Sequence, residues 1–348
     1  MKATLLKSIG KVILEDIESR DIKDDEVRVE VKYCGICGSD IRGVADGEHI
    51  PLGTYMGHEF SGVIAEVGRN VPHWKRGDRV VVNPMGRCGK CYACKHKIYS
   101  ACSEAVSTGI GISAGIDHAG AFCKYVRVPK PEYRLFHLPD EISFEAGALV
   151  EPLACSMHAI NMSIMQPEYR AMVLGCGTIG LGVTTFLKNL GSQLVIVTEP
   201  NVRKAEVAKK VGADYVFNPY VVTDLEEVVF EITNGDGVDV VFDCSGVEEV
   251  FQKAPNFLRP RGQVLLVGVI THPVQTIPNS YTNGEKTLQA SVTYIDEFPS
   301  VINTLRKHVV PISEMITTKI KLSNIIQKGF SVLAKPNDEI KVLVEPDV

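Results

Sequence analysis

One short stretch, Gly175-Cys176-Gly177-Thr178-Ile179-Gly180, constrains this chain more than any other. It directly follows an apolar run, Ala171–Leu174, and opens a helical pattern, Ile179–Leu190. Three glycines at that spacing between a strand and a helix have separate uses. The first permits a tight turn, the second lets backbone approach a pyrophosphate, and the third allows close helix–strand packing. The helix N-terminus behind them offers free N–H groups and partial positive charge. Glu199 ends the next apolar run, about twenty residues on, where a carboxylate binds a ribose 2′-hydroxyl. Such a carboxylate repels a 2′-phosphate, which favours NAD over NADP. Arg203 and Lys204 temper that preference. The expected cofactor contacts are Gly175, Gly177, Thr178, Ile179, Gly180, Glu199 and Arg203. The plain alternative is a glycine-rich turn with an acidic strand end.

The surroundings fit the turn. From Ala171 onward, apolar runs alternate with helical patterns. The strands expected are Ala171–Leu174, Gln193–Thr198, Asp214–Phe217, Val238–Asp243, Gln263–Val269 and Thr287–Val292. Helices expected among them include Val202–Val211 and Thr223–Thr233. Buried strands alternating with helices specify a parallel, doubly wound α/β sheet. The chain up to about Ala159 has a different texture. Val27, Val29 and Val31 alternate with Arg28, Glu30 and Lys32, the period of a half-buried strand. Ser61–Val67 and Arg79–Asn83 are further short strands between glycine-rich turns. In the tail, Phe298–His308 and Leu322–Leu333 read as helices and Glu339–Glu345 as a closing strand. Periodicity leaves open which part of the molecule the tail joins. With 348 residues, two domains are expected.

The ten cysteines are unevenly placed. Cys88, Cys91, Cys94 and Cys102 follow one another at spacings x2, x2 and x7. Met1–Gly10 lacks the apolar core of an export signal. Ala171–Leu187, the longest uncharged apolar stretch, is short for a membrane span and studded with glycines. The chain therefore reads as cytoplasmic, and the cluster as metal-binding rather than disulfide-forming. Four thiolates suit a closed, tetrahedral, structural zinc. The alternatives are four metal-free loop cysteines, or a knuckle gripping nucleic acid through Arg87, Lys90, Lys95 and Lys97. Thirty-seven basic against 42 acidic groups, a net charge of −5, argue against nucleic acid.

A second constellation joins Cys37-Gly38-Ser39-Asp40 to Gly57-His58-Glu59. A cysteine, a histidine and one further donor make an open zinc site with one position left for water or substrate. Glu151 precedes Pro152. Locally it reads as a helix-start residue, since a carboxylate there is favourable in any case.

These motifs, in this order, resemble the zinc-containing medium-chain dehydrogenase/reductase family. They are Gly35-Ile-Cys-Gly-Ser-Asp40, Gly57-His-Glu-Phe-Ser-Gly62, Cys88–Cys102, Glu151-Pro-Leu and Gly175–Gly180. The likeness spans the whole chain. It is strongest to the polyol and diol branch: sorbitol, butanediol, threonine and galactitol-1-phosphate dehydrogenases. It implies a GroES-like, β-rich catalytic domain from residues 1–158 and 296–348, with a Rossmann NAD-binding domain at 159–295. It implies that Cys37 and His58 bind catalytic zinc. Glu59 is then a ligand or an adjacent carboxylate, and Glu151 a direct or water-bridged partner, which reverses the local reading. Ser39 matches the hydroxyl that bonds the substrate oxygen, and Asp40 a residue that orients His58. Two zinc ions per chain follow, one catalytic and one structural.

The activity implied is hydride transfer between a secondary alcohol (polyol, vicinal diol or sugar alcohol) and NAD. The competing readings are a reductase working from the ketone and a non-catalytic dinucleotide binder. The partners implied are a small alcohol or ketone and further copies of the chain, as a homodimer or homotetramer, with no nucleic acid and no membrane. Where some relatives carry a relay histidine, this chain has Arg42, so the proton needs another exit, through water or His49. Arg42 would also suit a phosphorylated substrate. Tyr55, Ile110, Ile112 and His118 are candidates for the substrate pocket.

Overall fold

The computed structural model describes residues 1–47, 50–102 and 120–347. The chain divides into two compact units. One comprises Met1–Glu151, Phe298–Lys307 and Ile316–Val348. The other comprises Pro152–Glu297 and His308–Met315. The first break thus falls at Glu151, ahead of the expected 158, and 308–315 leaves the C-terminal piece expected to run unbroken from 296.

The first unit is built on strands. β1 (Lys2–Ser8) and β2 (Lys11–Asp16) form an antiparallel hairpin. β3 (Glu26–Gly35) is followed by helix α1 (Gly38–Asp46), β4 (Glu59–Val67), β5 (Arg79–Val82), β6 (Tyr125–Pro129) and β7 (Leu135–His137). The other unit's strands are β8 (Arg170–Leu174), β9 (Leu194–Thr198), β10 (Tyr215–Phe217), β11 (Val238–Asp243), β12 (Leu258–Leu266) and β13 (Thr287–Ala290). β14 (Ile316–Lys321) and β15 (Lys341–Glu345) close the chain.

The first unit's large sheet runs β14-β15-β3-β4-β5-β7, with β6 also on β3. Alternation in β3 decides its inner face: Val27, Val29 and Val31 are buried, and they pack with Phe60, Ile64, Val80, Phe122, Val126 and Val128. β15 pairs with β3, Leu343 opposite Gly35, so the tail strand completes this sheet. The expected helix at Leu322–Leu333 is instead three short pieces. These are a 3₁₀ turn at Leu322–Asn324, a wide π turn at Ile325–Phe330 and an α turn at Ser331–Leu333. Gly329 explains part of the irregularity. It weakens a regular helix, and a Cβ there would sit 2.7 Å from Ile36.

The second unit is a six-stranded parallel sheet ordered β10-β9-β8-β11-β12-β13. Its helices are α2 (Val150–Asn161, beginning in the first unit), α3 (Thr178–Leu190), α4 (Val202–Lys210), α5 (Leu225–Ile232) and α6 (Glu248–Lys253). All six residues of β11 are buried, its valines and Phe242 together with Asp239 and Asp243, as expected of a central strand covered on both faces. The chain winds outward from β8 to β10, then restarts beside β8 at β11. That reversal leaves a crevice at the C-terminal strand ends, the usual ligand position in such sheets. β12 starts at Leu258, earlier than expected, because Pro260 and Gly262 mask its first half in sequence.

Candidate active site

The glycine turn behaves as its spacing dictates. Gly175 has φ +95°, and a Cβ there would sit 3.2 Å from Ser245 Cα. A Cβ on Gly180 would collide with the Gly175 carbonyl oxygen, so only glycine lets α3 start this close to β8. Gly177 caps α3 without any side-chain hydrogen bond, and a Cβ on it would meet nothing within 4 Å. The N-terminus of α3 thus presents N–H groups and open space together, a fit for a phosphate. Thr178 is buried on α3's first turn, and the Ile179 carbonyl accepts from Ser156 Oγ at 3.0 Å.

Glu199 has a use the sequence did not reveal. It is buried, and its Oε2 accepts the Cys176 N–H at 2.7 Å while Oε1 accepts the Asn201 N–H at 2.9 Å. It therefore fastens the glycine turn to the end of β9. Arg203 is exposed on α4. A cavity of about 240 Å³ lies at the ends of β8 and β9, lined by Leu174, Thr198, Pro219, Val250 and Asn256 among others.

In the first unit, a Cys37 sulfur, a His58 ring nitrogen and a Glu59 carboxylate oxygen all lie within 4.8 Å of one another. Cys37 is the N-cap of α1. Its Sγ accepts from the Ser39 N–H at 3.5 Å, and its own N–H donates to Asp40 Oδ2 at 2.9 Å. This capping box turns the motif Cys-Gly-Ser-Asp into a rigid corner. His58 and Glu59 arrive from the start of β4. Gly57 before them has φ +100°, and a Cβ there would lie 2.6 Å from the Phe122 nitrogen. The Ala121 and Phe122 N–H groups hold Gly57 and Met56 at 2.9 and 3.0 Å.

The site is buried and rich in anions. Asp40, His58, Glu59 and Glu151 are 0%, 2%, 1% and 5% exposed, levels rare for unpaired ionisable groups. Asp40 Oδ1 stands 3.8 Å from His58 Nδ1, and neither atom has a hydrogen-bond partner among the described residues. Burial pulls the His58 pKa down, yet it is pushed up to about 10 by Asp40, Cys37 and Glu151. A soft thiolate, an imidazole and carboxylates gathered under that much negative charge fit zinc. Glu151 joins through its charge and lies outside the tightest group. Ser39 is partly exposed beside Cys37.

Lys341, which sequence reading passed over, enters the same site. Its Nζ donates to both Glu59 oxygens, at 2.8 and 2.5 Å, and to the Ile36 carbonyl at 3.2 Å. The available signal was a lysine opening an apolar strand, Lys341-Val-Leu-Val. Arg42 lies over Gly38, its Nη1 3.5 Å from where a Cβ would be, and its Nε is buried with no hydrogen-bond partner among the described residues. Tyr55 is not gathered here: its hydroxyl donates to Glu15 on β2 at 2.6 Å. His49, Ile110, Ile112 and His118 lie outside the described residues.

The sulfur atoms of Cys88, Cys91, Cys94 and Cys102 also lie within 4.8 Å of one another. Backbone N–H groups point at three of them: Cys88 N at Cys102, Cys91 N at Cys88 and Cys94 N at Cys91, at 3.4–3.5 Å. Burial and the neighbouring thiols push the Cys94 pKa up to about 12, against a lowering backbone bond from Gly89. All ten cysteines are free thiols. Four thiols this close, with N–H donors aimed at sulfur, suit a thiolate-bound cation.

Comparison with known proteins agrees with this geometry. The alcohol dehydrogenase GroES-like domain family matches residues 23–140, and the zinc-binding dehydrogenase family matches 178–307. The chain is 33% identical to the (R,R)-butanediol dehydrogenase of Bacillus subtilis (strain 168), over 100% of both chains. The chain belongs to the zinc-binding alcohol dehydrogenases. It is also 35% identical to the D-arabitol-phosphate dehydrogenase of Enterococcus avium, over 95% of this chain and 92% of that one. The crystal structure of the 2R,3R-butanediol dehydrogenase from Bacillus subtilis superposes with a TM-score of 0.89, covering 99% of each chain at 33% identity. This dehydrogenase is thus an alcohol oxidoreductase with a GroES-like and a Rossmann-like part, similar to polyol and diol dehydrogenases, and its family and cysteine cluster fit zinc and a nucleotide cofactor. A non-catalytic or ketone-directed role is not favoured. Among the described residues no helix is long and apolar enough to cross a membrane.

Proposed function

We propose that this dehydrogenase oxidises a polyol or vicinal diol with NAD, at a zinc held by Cys37, His58 and Glu59 with Glu151 beside them. The gathering of Cys37, His58 and Glu59 under surplus buried negative charge carries this reading. Zinc supplies Lewis acidity that eases loss of the alcohol proton, and NAD accepts the hydride. The chain's own residues do the rest. Ser39 takes the hydroxyl proton and, being partly exposed, passes it to solvent. Arg42 cannot take that part, since a guanidinium stays protonated. Asp40 faces His58 Nδ1 at 3.8 Å, which leaves Nε2 as the metal-facing nitrogen. Zinc-site residues fall in the first unit and the glycine turn in the second, so catalysis and cofactor binding divide along the same line.

Glu199 supports NAD over NADP, because a buried carboxylate at the end of β9 repels a 2′-phosphate. The cysteine cluster supports a second, structural zinc, and free thiols throughout support a reducing, cytoplasmic setting. Edge strand β13 exposes Thr287 and Leu288, an edge that a second copy can pair with, which supports a homodimer or homotetramer.

Metal analysis with Cys37→Ser tests the reading. Wild type is expected to hold two zinc ions per chain. Cys37→Ser should hold one, keep its circular dichroism and lose turnover. Full turnover by that variant contradicts the proposal.

A further inference from the structure

Resting on that reading of the Cys37 corner, we propose that Arg42 is a specificity-determining residue that binds a phosphate monoester carried by the polyol substrate. Arg42 lies on α1, whose N-cap is Cys37 and whose first turn holds Ser39. Residues three and four apart share one face of a helix, with Cβ atoms about 5–6 Å apart. Ser39 and Gly38 are therefore the neighbours of Arg42 on α1. The side chain runs back along that face, for its Nη1 lies 3.5 Å from where a Gly38 Cβ would be. Glycine at 38 sets no side chain against the guanidinium.

The guanidinium has no partner there. Its Nε is buried without a hydrogen bond, and no carboxylate pairs with it among the described residues. Asp40 is two positions away and so faces another side of α1. Its Oδ2 takes the Cys37 N–H instead. A buried donor left unmet is costly, and native structures rarely keep one. A permanently charged, forked donor beside the reacting hydroxyl, free of protein anions, fits an anion that arrives with substrate. A polyol has no carboxylate of its own, so that anion is a phosphate ester, a few carbons from the carbinol that meets Ser39. The cofactor's diphosphate has its own place, at the open N-terminus of α3 beside Gly177.

Pentitols and hexitols, each offered with NAD as the parent polyol and as its terminal phosphate monoester, test this on the zinc-loaded full chain. Wild type should favour the monoester at least about tenfold in kcat/KM, the scale of one charge-assisted contact. Arg42→Met should lower kcat/KM for the monoester about 10–100-fold more than for the parent, mainly through KM. Arg42→Lys keeps the charge but loses the fork, and should recover part of the loss. Calorimetric titration of the monoester into the zinc-loaded protein with NADH bound should show the same factor in Kd, and needs no turnover. Fluorescence titration should give the wild-type Kd for NADH in Arg42→Met. Equal or better use of the parent polyol by wild type overturns the proposal, as does preference for the matching sugar acid over the monoester. A monoester preference that survives in Arg42→Met also overturns it. If NADH binding weakens there instead, the guanidinium belongs to the cofactor's diphosphate. Failure of the metal reading shows separately, as Cys37→Ser keeping both zinc ions, while monoester binding by calorimetry still judges Arg42.

Discussion

Ser39 is the residue on which the proposed proton movement depends. It shares the first turn of α1 with Cys37 and is partly open to solvent. Its only described bond near the site is made by its backbone N–H, to Cys37 Sγ. Ser39→Ala should therefore lower kcat about 10²–10⁴-fold, the usual worth of a positioned proton-transfer group, with zinc content unchanged. Pre-steady-state and steady-state rates on the metal-replete variant check this. That Cys37 meets His58 and Glu59 was legible in the sequence, because each motif is local. Lys341 was not, because only the pairing of β15 with β3 carries it 282 positions back to Glu59.

At the scale of elements, the turn between β8 and α3 is the most exacting. Gly180→Ala places a methyl on the Gly175 carbonyl. It should destabilise the second unit by about 1–3 kcal/mol, the typical cost of overpacking, and weaken NADH binding at least about tenfold. Fluorescence titration and chemical denaturation measure the two effects separately. The last turn of α2 has its own fastening. Glu297 Oε1 accepts from His158 at 2.8 Å and Asn161 at 3.1 Å, and Oε2 accepts from the Ile295 N–H at 2.6 Å. Burial raises the Glu297 pKa, but these bonds and the His158 charge outweigh it and hold the carboxyl below its ordinary value. A depressed folded pKa means stability that is present above the unfolded value and lost as pH falls through the folded one. Glu297→Gln should cost about 1–3 kcal/mol at pH 7, with the gap to wild type closing below about pH 4. Urea titrations at the two pH values decide it. The parallel strands and α3–α5 could be read from apolar runs and periodicity. The three-part segment at 322–333 could not, since its apolar spacing is helical and only packing of Gly329 against Ile36 shows the departure.

For the whole molecule, the two cysteine-bearing sites should separate function from stability. Cys94 is buried in its cluster, and among the described residues that cluster is separate from the Cys37 group. Cys94→Ser should lose one of two zinc ions and lower the melting temperature, yet keep specific activity in the cold. Loss of activity with unchanged melting would exchange the roles of the two sites. The central claim is a zinc-assisted transfer of hydride from a secondary alcohol to NAD. It is tested most directly by following nicotinamide reduction in zinc-loaded protein. NAD and NADP should each be offered against diols, polyols, polyol phosphates and β-hydroxy amino acids. Turnover of a diol or polyol class with NAD, faster than with NADP and absent in Cys37→Ser, is the predicted result. Silence across the panel with both zinc ions bound, or turnover that survives Cys37→Ser, would contradict it.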